Sequence, residues 1–124
     1  MTTDSADQPR PPLAGVRILE ASILGPGAIS TSLADLGADV IKVESPSGDY
    51  IRQMTWPIVE GVSLMHLHIS RGKRSIVLDL KSPDGVATFL ELARHADAVI
   101  EAMRPGALEP VSYTHLTLPT KRIV

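Results

Sequence analysis

An α/β fold built on a parallel sheet is the class this sequence predicts, and three observations predict it. Short branched-aliphatic runs alternate with stretches of helical period along the chain. The links between them are tight, as strand–helix–strand crossovers within one sheet require. The 124 residues are 44% hydrophobic and 21% charged, the balance of one small globular domain able to bury a core.

Met1 to Pro12 is polar and proline-rich and reads as a flexible lead-in, with no basic start and apolar stretch of a signal peptide. Val16 to Glu20 is short and branched, and reads as a buried strand. Gly25-Pro26-Gly27 then makes a turn. Ile29, Leu33 and Leu36 recur at helical spacing over Ala28 to Leu36, and Gly37 stands at a helix C-cap position. Asp39 to Glu44 is a second strand, which completes a βαβ unit. Ser45-Pro46-Ser47-Gly48-Asp49 is a turn signal. Trp56-Pro57 argues against helix at that point, and Ser63 to Ser70 suits a short one. Ser75 to Leu80 reads as the third strand. The clearest helix follows, with Ser82 as N-cap, Pro83 at N1, Asp84 in the first turn, an apolar stripe of Val86, Phe89, Leu90 and Ala93, and an end near His95. Asp97 to Glu101 is the fourth strand, and Arg104-Pro105-Gly106 opens a further turn or helix. A parallel sheet that stops there has exposed edges and an uncovered face, so the fold is expected to be incomplete.

Residues 110–124, PVSYTHLTLPTKRIV, break this pattern abruptly. They resemble a translated sequencing-adapter read-through, and residues 111–124 are left out of the fold reasoning as a fusion scar is. The expected organisation is thus a lead-in at 1–12, a partial domain at 13–109 and a non-native tail at 110–124.

Composition excludes several function classes. A net charge of −2 and only four aromatic residues offer nucleic acid neither a basic surface nor a stacking platform. No cysteine is present, so disulfides, thiolate metal sites and a cysteine nucleophile are excluded, and a reducing compartment fits. No apolar run approaches the roughly 18 residues of a membrane span. Cytoplasm is the expected location.

The motifs are individually modest. Gly25-Pro26-Gly27-Ala28-Ile29-Ser30 after the first strand, with Glu44 closing the second, imitates a dinucleotide fingerprint. Its third glycine is serine and its proline removes a backbone donor, so a plain helix-starting turn is the better reading. The N-terminal N–H groups of that helix could still hold an anion or a thioester oxygen. Arg71-Gly72-Lys73-Arg74-Ser75, with Lys81 beyond the next strand, is a candidate phosphate patch or a solvated basic loop. His66 and His68 lack a third metal ligand, and His95 suits a helix C-terminal cation. Glu20, Asp79 and Glu101 sit at or near strand ends, where ligands of parallel sheets collect. There is no Gly-x-Ser-x-Gly elbow and no P-loop.

Four segments taken together are more specific. LAGVRILE, LADLGADVIKVESPSGD, RGKRSIVLDLKSPDG and DAVIEAMRPGALE, in this order from Leu13 to Glu109, resemble the N-terminal region of the family III CoA-transferases, the CaiB/BaiF-like group that includes formyl-CoA and carnitine-CoA transferases and the α-methylacyl-CoA racemases. The resemblance implies a Rossmann-like domain of a longer, interlocked homodimer. It implies that coenzyme A or acyl-CoA, a substrate rather than a resident cofactor, lies along the loops after the strands, with carboxylic acids as the other substrates and neither nucleic acid nor membrane as partner. By position, Leu24 and Gly25 contact CoA at the first turn. Leu78, Asp79, Leu80 and Lys81 line its adenine and phosphate end. Ala102, Met103 and Arg104 form another wall. Lys73 and Arg74 join Lys81 as phosphate partners.

The sequence departs from the family in places. Some members carry arginine where this chain has Ser45, asparagine where it has Ala102, phenylalanine where it has Met103, and proline where it has Gly27. The catalytic aspartate of the transferases, and the histidine and aspartate of the racemases, lie farther along than this region, and no residue here matches them. The expectation is an N-terminal fragment of a CoA-transferase, inactive alone. A racemase fragment is the alternative within enzymes, because both branches share CoA binding. A small non-catalytic nucleotide-binding module, or a plain interaction fragment, is the alternative outside them.

Overall fold

The computed structural model describes residues 8–103. Four parallel strands carry the fold: β1 (Arg17–Ala21), β2 (Asp39–Glu44), β5 (Lys73–Val77) and β6 (Ala98–Glu101). Their order across the sheet is β5-β2-β1-β6. Register runs Ile18 beside Val40 and Ala98, and Lys42 beside Glu20 and Ser75. This is the arrangement of half a doubly wound sheet, in which the order reverses between β1 and β6.

Helix α1 (Leu24–Asp35) connects β1 to β2, and α3 (Pro83–Arg94) connects β5 to β6. They cover opposite faces. Leu19, Ala21, Val43 and Val99 pack with Phe89 and Ala93 of α3, whereas Ile18, Val40 and Ile100 pack with Leu33 and Ala34 of α1. Among the described residues, the first of these faces is covered by α3 alone, while the second also carries α2 (Leu64–Ser70), which packs on α1.

Helix α1 starts earlier than the sequence suggests and takes in Gly25-Pro26-Gly27. A proline in the first turn is tolerated because the N–H it lacks is one that a helix leaves unpaired anyway. Leu24 enters the helix with φ 53, a left-handed conformation that is costly for a leucine. The helix ends as expected at Gly37, where φ is 99 and a side chain would meet Pro11 Cβ at 2.3 Å.

Strand β2 has the bounds read from the sequence. Strand β5 does not: it starts two residues earlier than Ser75 and ends at Val77. Turn chemistry ends it. Leu78 N makes a last bond to Glu44 O at 2.9 Å, after which Asp79 accepts from Lys81 N at 2.9 Å through its side chain and from Ser82 N at 3.0 Å through its carbonyl. Helix α3 follows with the anticipated cap, Ser82 Oγ accepting from Gly85 N at 3.1 Å. Gly85 is obligatory, since a Cβ there would lie 1.9 Å from Asp79 O.

Between β2 and β5 lie a single 3-10 turn (Tyr50–Arg52), a small hairpin of β3 (Pro57–Val59) and β4 (Val62–Ser63), and α2. The hairpin is too short to register as alternation in the sequence. Thr55 and Trp56 lead into it with positive φ, and Trp56 is 79% exposed. Ser63 caps α2 by accepting from His66 N at 3.0 Å, as the short helix read from the sequence needs. Arg104 and the tail at 110–124 lie outside the described residues.

Candidate functional site

A cleft of about 620 Å³ opens at the carboxyl ends of the strands, where the strand order reverses. Small-molecule sites of parallel α/β sheets form at this place, at volumes of roughly 300–1,000 Å³. One wall is the end of β1, Ala21-Ser22-Ile23. A second is the end of β2 and its loop, from Val43 to Tyr50, and a third is Ala102 and Met103 after β6. The lining mixes apolar side chains with the hydroxyls of Ser22, Ser45 and Ser47. Ser45 Oγ and Ser47 Oγ bond one another at 2.8 Å across the loop.

Beneath these walls, on the α1 side of the sheet, lies a layer of buried charge. Glu20 is fully buried and is met by Lys73 Nζ at 2.8 Å, Ser30 Oγ at 2.5 Å and Ser22 Oγ at 3.0 Å. Lys42 Nζ lies 3.9 Å from Glu20 and forms an ion pair with Asp49. Glu44 accepts from Arg52 through both oxygens, at 2.6 and 2.9 Å, and from Ser75 Oγ at 2.8 Å and Asp49 N at 3.2 Å. Three carboxylates thus face three cations, which is the condition under which buried charge is tolerated. The Arg52 guanidinium holds the Glu44 carboxyl down to about 2, assisted by Ser75 and the Asp49 N–H. Burial lowers the pKa of His66, whose Nε2 stands 3.1 Å from Arg52 Nη1, and the Arg52 charge lowers it further. Burial also lowers that of Lys73, against the opposing pull of Glu20.

The candidate residues divide. Ala102 and Met103 line the cleft. Leu24 and Gly25 follow its first wall directly, in the opening turn of α1. Leu78, Asp79, Leu80 and Lys81 form the turn after β5, at the carboxyl end of the neighbouring edge strand, with Lys81 exposed. Lys73 and Arg74 are not brought to the cleft. Lys73 belongs to a strand, and its ammonium is buried against Glu20 and the Gly27 carbonyl at 2.7 Å. Arg74 holds Asp39, at the start of β2, at 2.7 Å, and Arg71 holds Asp35 at 2.7 Å. Within the basic run, Lys73 is enclosed, whereas Arg71 and Arg74 stay exposed in ion pairs with carboxylates of the same chain.

The strand-end acids are also committed. Asp79 serves its turn, and Glu101 accepts from Met103 N at 2.9 Å. His95, at the end of α3, pairs with Glu91 at 3.0 Å. No group of three metal-ligating side chains exists among the described residues. Sequence reasoning missed Ser22, Ile23, Ser47, Asp49 and Tyr50 as cleft residues, and met Ser45 only as a departure from the arginine of some family members. Their only signal was position, since they fall in the segments that follow the carboxyl ends of β1 and β2.

Comparison with known proteins gives a consistent result. The model of CoA-transferase family III matches residues 13–122. The β subunit of succinyl-CoA–L-malate CoA-transferase from Chloroflexus aurantiacus is 43% identical over 100 residues, covering 79% of this chain and 25% of its own length. Succinate–glutarate CoA-transferase from Agrobacterium fabrum is 46% identical over 108 residues, covering 80% and 27%. A CaiB/BaiF family protein of known crystal structure from Brucella suis superposes with a TM-score of 0.78 at 39% identity, over 85% of this chain and 29% of that one. The chain spans about a quarter of the length of the curated relatives it matches.

Proposed function

We propose that this chain, which belongs to CoA-transferase family III, supplies part of the CoA-binding site of an enzyme that moves CoA between carboxylic acids. The observation that carries this reading is the cleft at the strand-order reversal, whose walls all fall inside the matched residues. Its lining suits the uncharged parts of an acyl-CoA: apolar contact from Ile23, Val43 and Met103, and hydroxyls from Ser45 and Ser47. Glu44 and Asp49 add no net repulsion toward a polyanion, since Arg52 and Lys42 neutralise them. The phosphates fall to Lys81, exposed at the carboxyl end of β5, and to Arg104. Lys73 is enclosed with Glu20, and Arg74 stands with Asp39 at the amino ends of the strands, away from the cleft.

The same reading places the intact enzyme in the cytoplasm as a homodimer, with acyl-CoA and carboxylic acid substrates. No described helix is long and apolar enough to cross a membrane.

Equilibrium dialysis of CoA against the intact polypeptide tests the binding half: saturable binding that weakens at least fivefold in Lys81→Met is expected, and no saturable binding overturns the reading of the cleft. For the chemistry, the intact polypeptide is incubated with succinyl-CoA and a second carboxylate in deuterated water. Appearance of the second acid's CoA ester without deuterium at its α-carbon supports transfer. Deuterium at the α-carbon of a 2-methylacyl-CoA supplied in a parallel incubation, with no change of acyl group, supports the racemase branch instead.

A further inference from the structure

Two walls of the cleft rest on one line of buried side chains. Ser22, in the first wall, donates to Glu20 at 3.0 Å. Glu20 Oε1 lies 3.9 Å from Lys42 Nζ. Lys42 pairs in turn with Asp49, in the second wall. Lys42 itself is 1% exposed and does not line the cleft, so it touches nothing bound there.

A lysine in that position needs a reason. The neighbouring inward residue of β2 on the same face is Val40, and an aliphatic side chain at 42 would extend that apolar surface without burying an ammonium. An ammonium does what no aliphatic group can: it attracts a carboxylate of β1 and a carboxylate of the β2 loop at once. Each wall has its own anchors besides. Glu20 keeps Lys73 and Ser30, and Asp49 caps the 3-10 turn by accepting from Ile51 N at 3.0 Å. Losing the ammonium therefore leaves each wall built, and the β1–β2 ladder below them intact, but removes a side-chain tie between the walls beyond that ladder.

We infer that Lys42 is a positioning residue that sets the spacing between the β1 and β2 walls of the cleft, and with it the fit of the ligand. The inference deepens the reading of the cleft as a CoA site and rests on it for its ligand, but the coupling of the walls can be measured without one.

The test compares the full chain with its Lys42→Met and Lys42→Arg variants by amide hydrogen exchange, and by titration with CoA at a temperature where circular dichroism shows each variant folded. Lys42→Met is expected to raise exchange at least tenfold both at Glu20 and Ala21, in the ladder below the first wall, and at Gly48, Asp49 and Ile51, and to raise the Kd for CoA at least tenfold. Lys42→Arg is expected to recover most of both. A merely structural lysine lowers the melting temperature but leaves the folded variant's Kd and the exchange at Glu20 and Ala21 unchanged, and that result overturns the inference. Should Lys42→Met fail to fold, Asp49→Asn decides in its place through exchange at Glu20 and Ala21 alone, because it keeps the cap on Ile51 and removes the charge facing Lys42, while its place in the lining makes its Kd no test. Coupled exchange in a chain that binds no CoA supports the shared anchor and refutes the CoA reading, so the two failures are distinguishable.

Discussion

The two faces of the sheet are made by the same strands and differ almost completely in chemistry. Toward α3, the side chains of Leu19, Ala21, Val43 and Val99 close on Phe89 and Ala93 with no charged group among them. Toward α1, the amino half is equally apolar, with Ile18 and Val40, but the carboxyl half carries Glu20, Lys42 and Glu44 beside Ile100, with the ammonium of Lys73 on Glu20. Alternation along a strand sends neighbouring residues to opposite faces, so one stretch such as Val40 to Glu44 builds both. The α3 face supplies stability by removing apolar area from water. The charged half of the other face supplies little net stability, because desolvation offsets attraction, yet it demands one geometry. It lies under the cleft, where definite geometry is of use.

The sharpest way to break this contrast is to damage each face by one residue. Phe89→Ala, in the centre of the α3 face, should lower unfolding free energy by about 3–5 kcal/mol through lost transfer energy and the cavity left behind; urea titration followed by circular dichroism checks it. No partner substitution should repair that loss.

The charged face should behave differently. Lys73→Met leaves Glu20 buried with Lys42 at 3.9 Å as its nearest cation, and should cost about 3 kcal/mol. The double variant Glu20→Leu, Lys73→Met should regain most of that loss in the same titration. If it is instead less stable than either single variant, the buried pair contributes real net stability and the contrast between the faces disappears.

The smallest effect is in acid. Arg52 holds Glu44 to about 2, against an ordinary value of 4.5. A carboxyl lowered in the folded state stabilises fully above its unfolded pKa and loses that contribution as pH falls through the folded one. Stability should therefore fall between about pH 4.5 and 2, by about 1–2 kcal/mol from this group once the partial exposure of Arg52 is allowed for. Glu44→Gln should flatten that part of a plot of urea midpoint against pH. A profile equally steep in the variant removes Glu44 from the account.

The apolar face was legible in the sequence and the charged one was not. Phe89 and Ala93 fall on the helical stripe, Ser82-Pro83-Asp84 announces where α3 begins, and Asp39 to Glu44 reads directly as β2. All these signals are local. Glu20 and Lys42 send no such signal, since a charged residue in a strand is ordinarily solvent-facing and only the pairing of β1 with β2, and the packing of α1 above them, shows that both are enclosed. Lys73 misled for the same reason: beside Arg71 and Arg74 it reads as part of a basic loop, and only the register of β5 turns it inward toward Glu20. The cleft suffered likewise. Ala102 and Met103 were reached through the family resemblance, whereas Ser22 and Asp49 meet across a gap that no local pattern records.

The placement of Trp56 has an optical consequence. It is the chain's single tryptophan, and it stands 79% exposed at the foot of the small hairpin, away from both apolar clusters. Its indole is already in water in the native state, so global unfolding changes its surroundings little, and emission excited at the red edge follows the hairpin rather than the sheet. The same isolation makes it a clean reporter: anything that settles on the hairpin shifts the emission to shorter wavelength against a silent background.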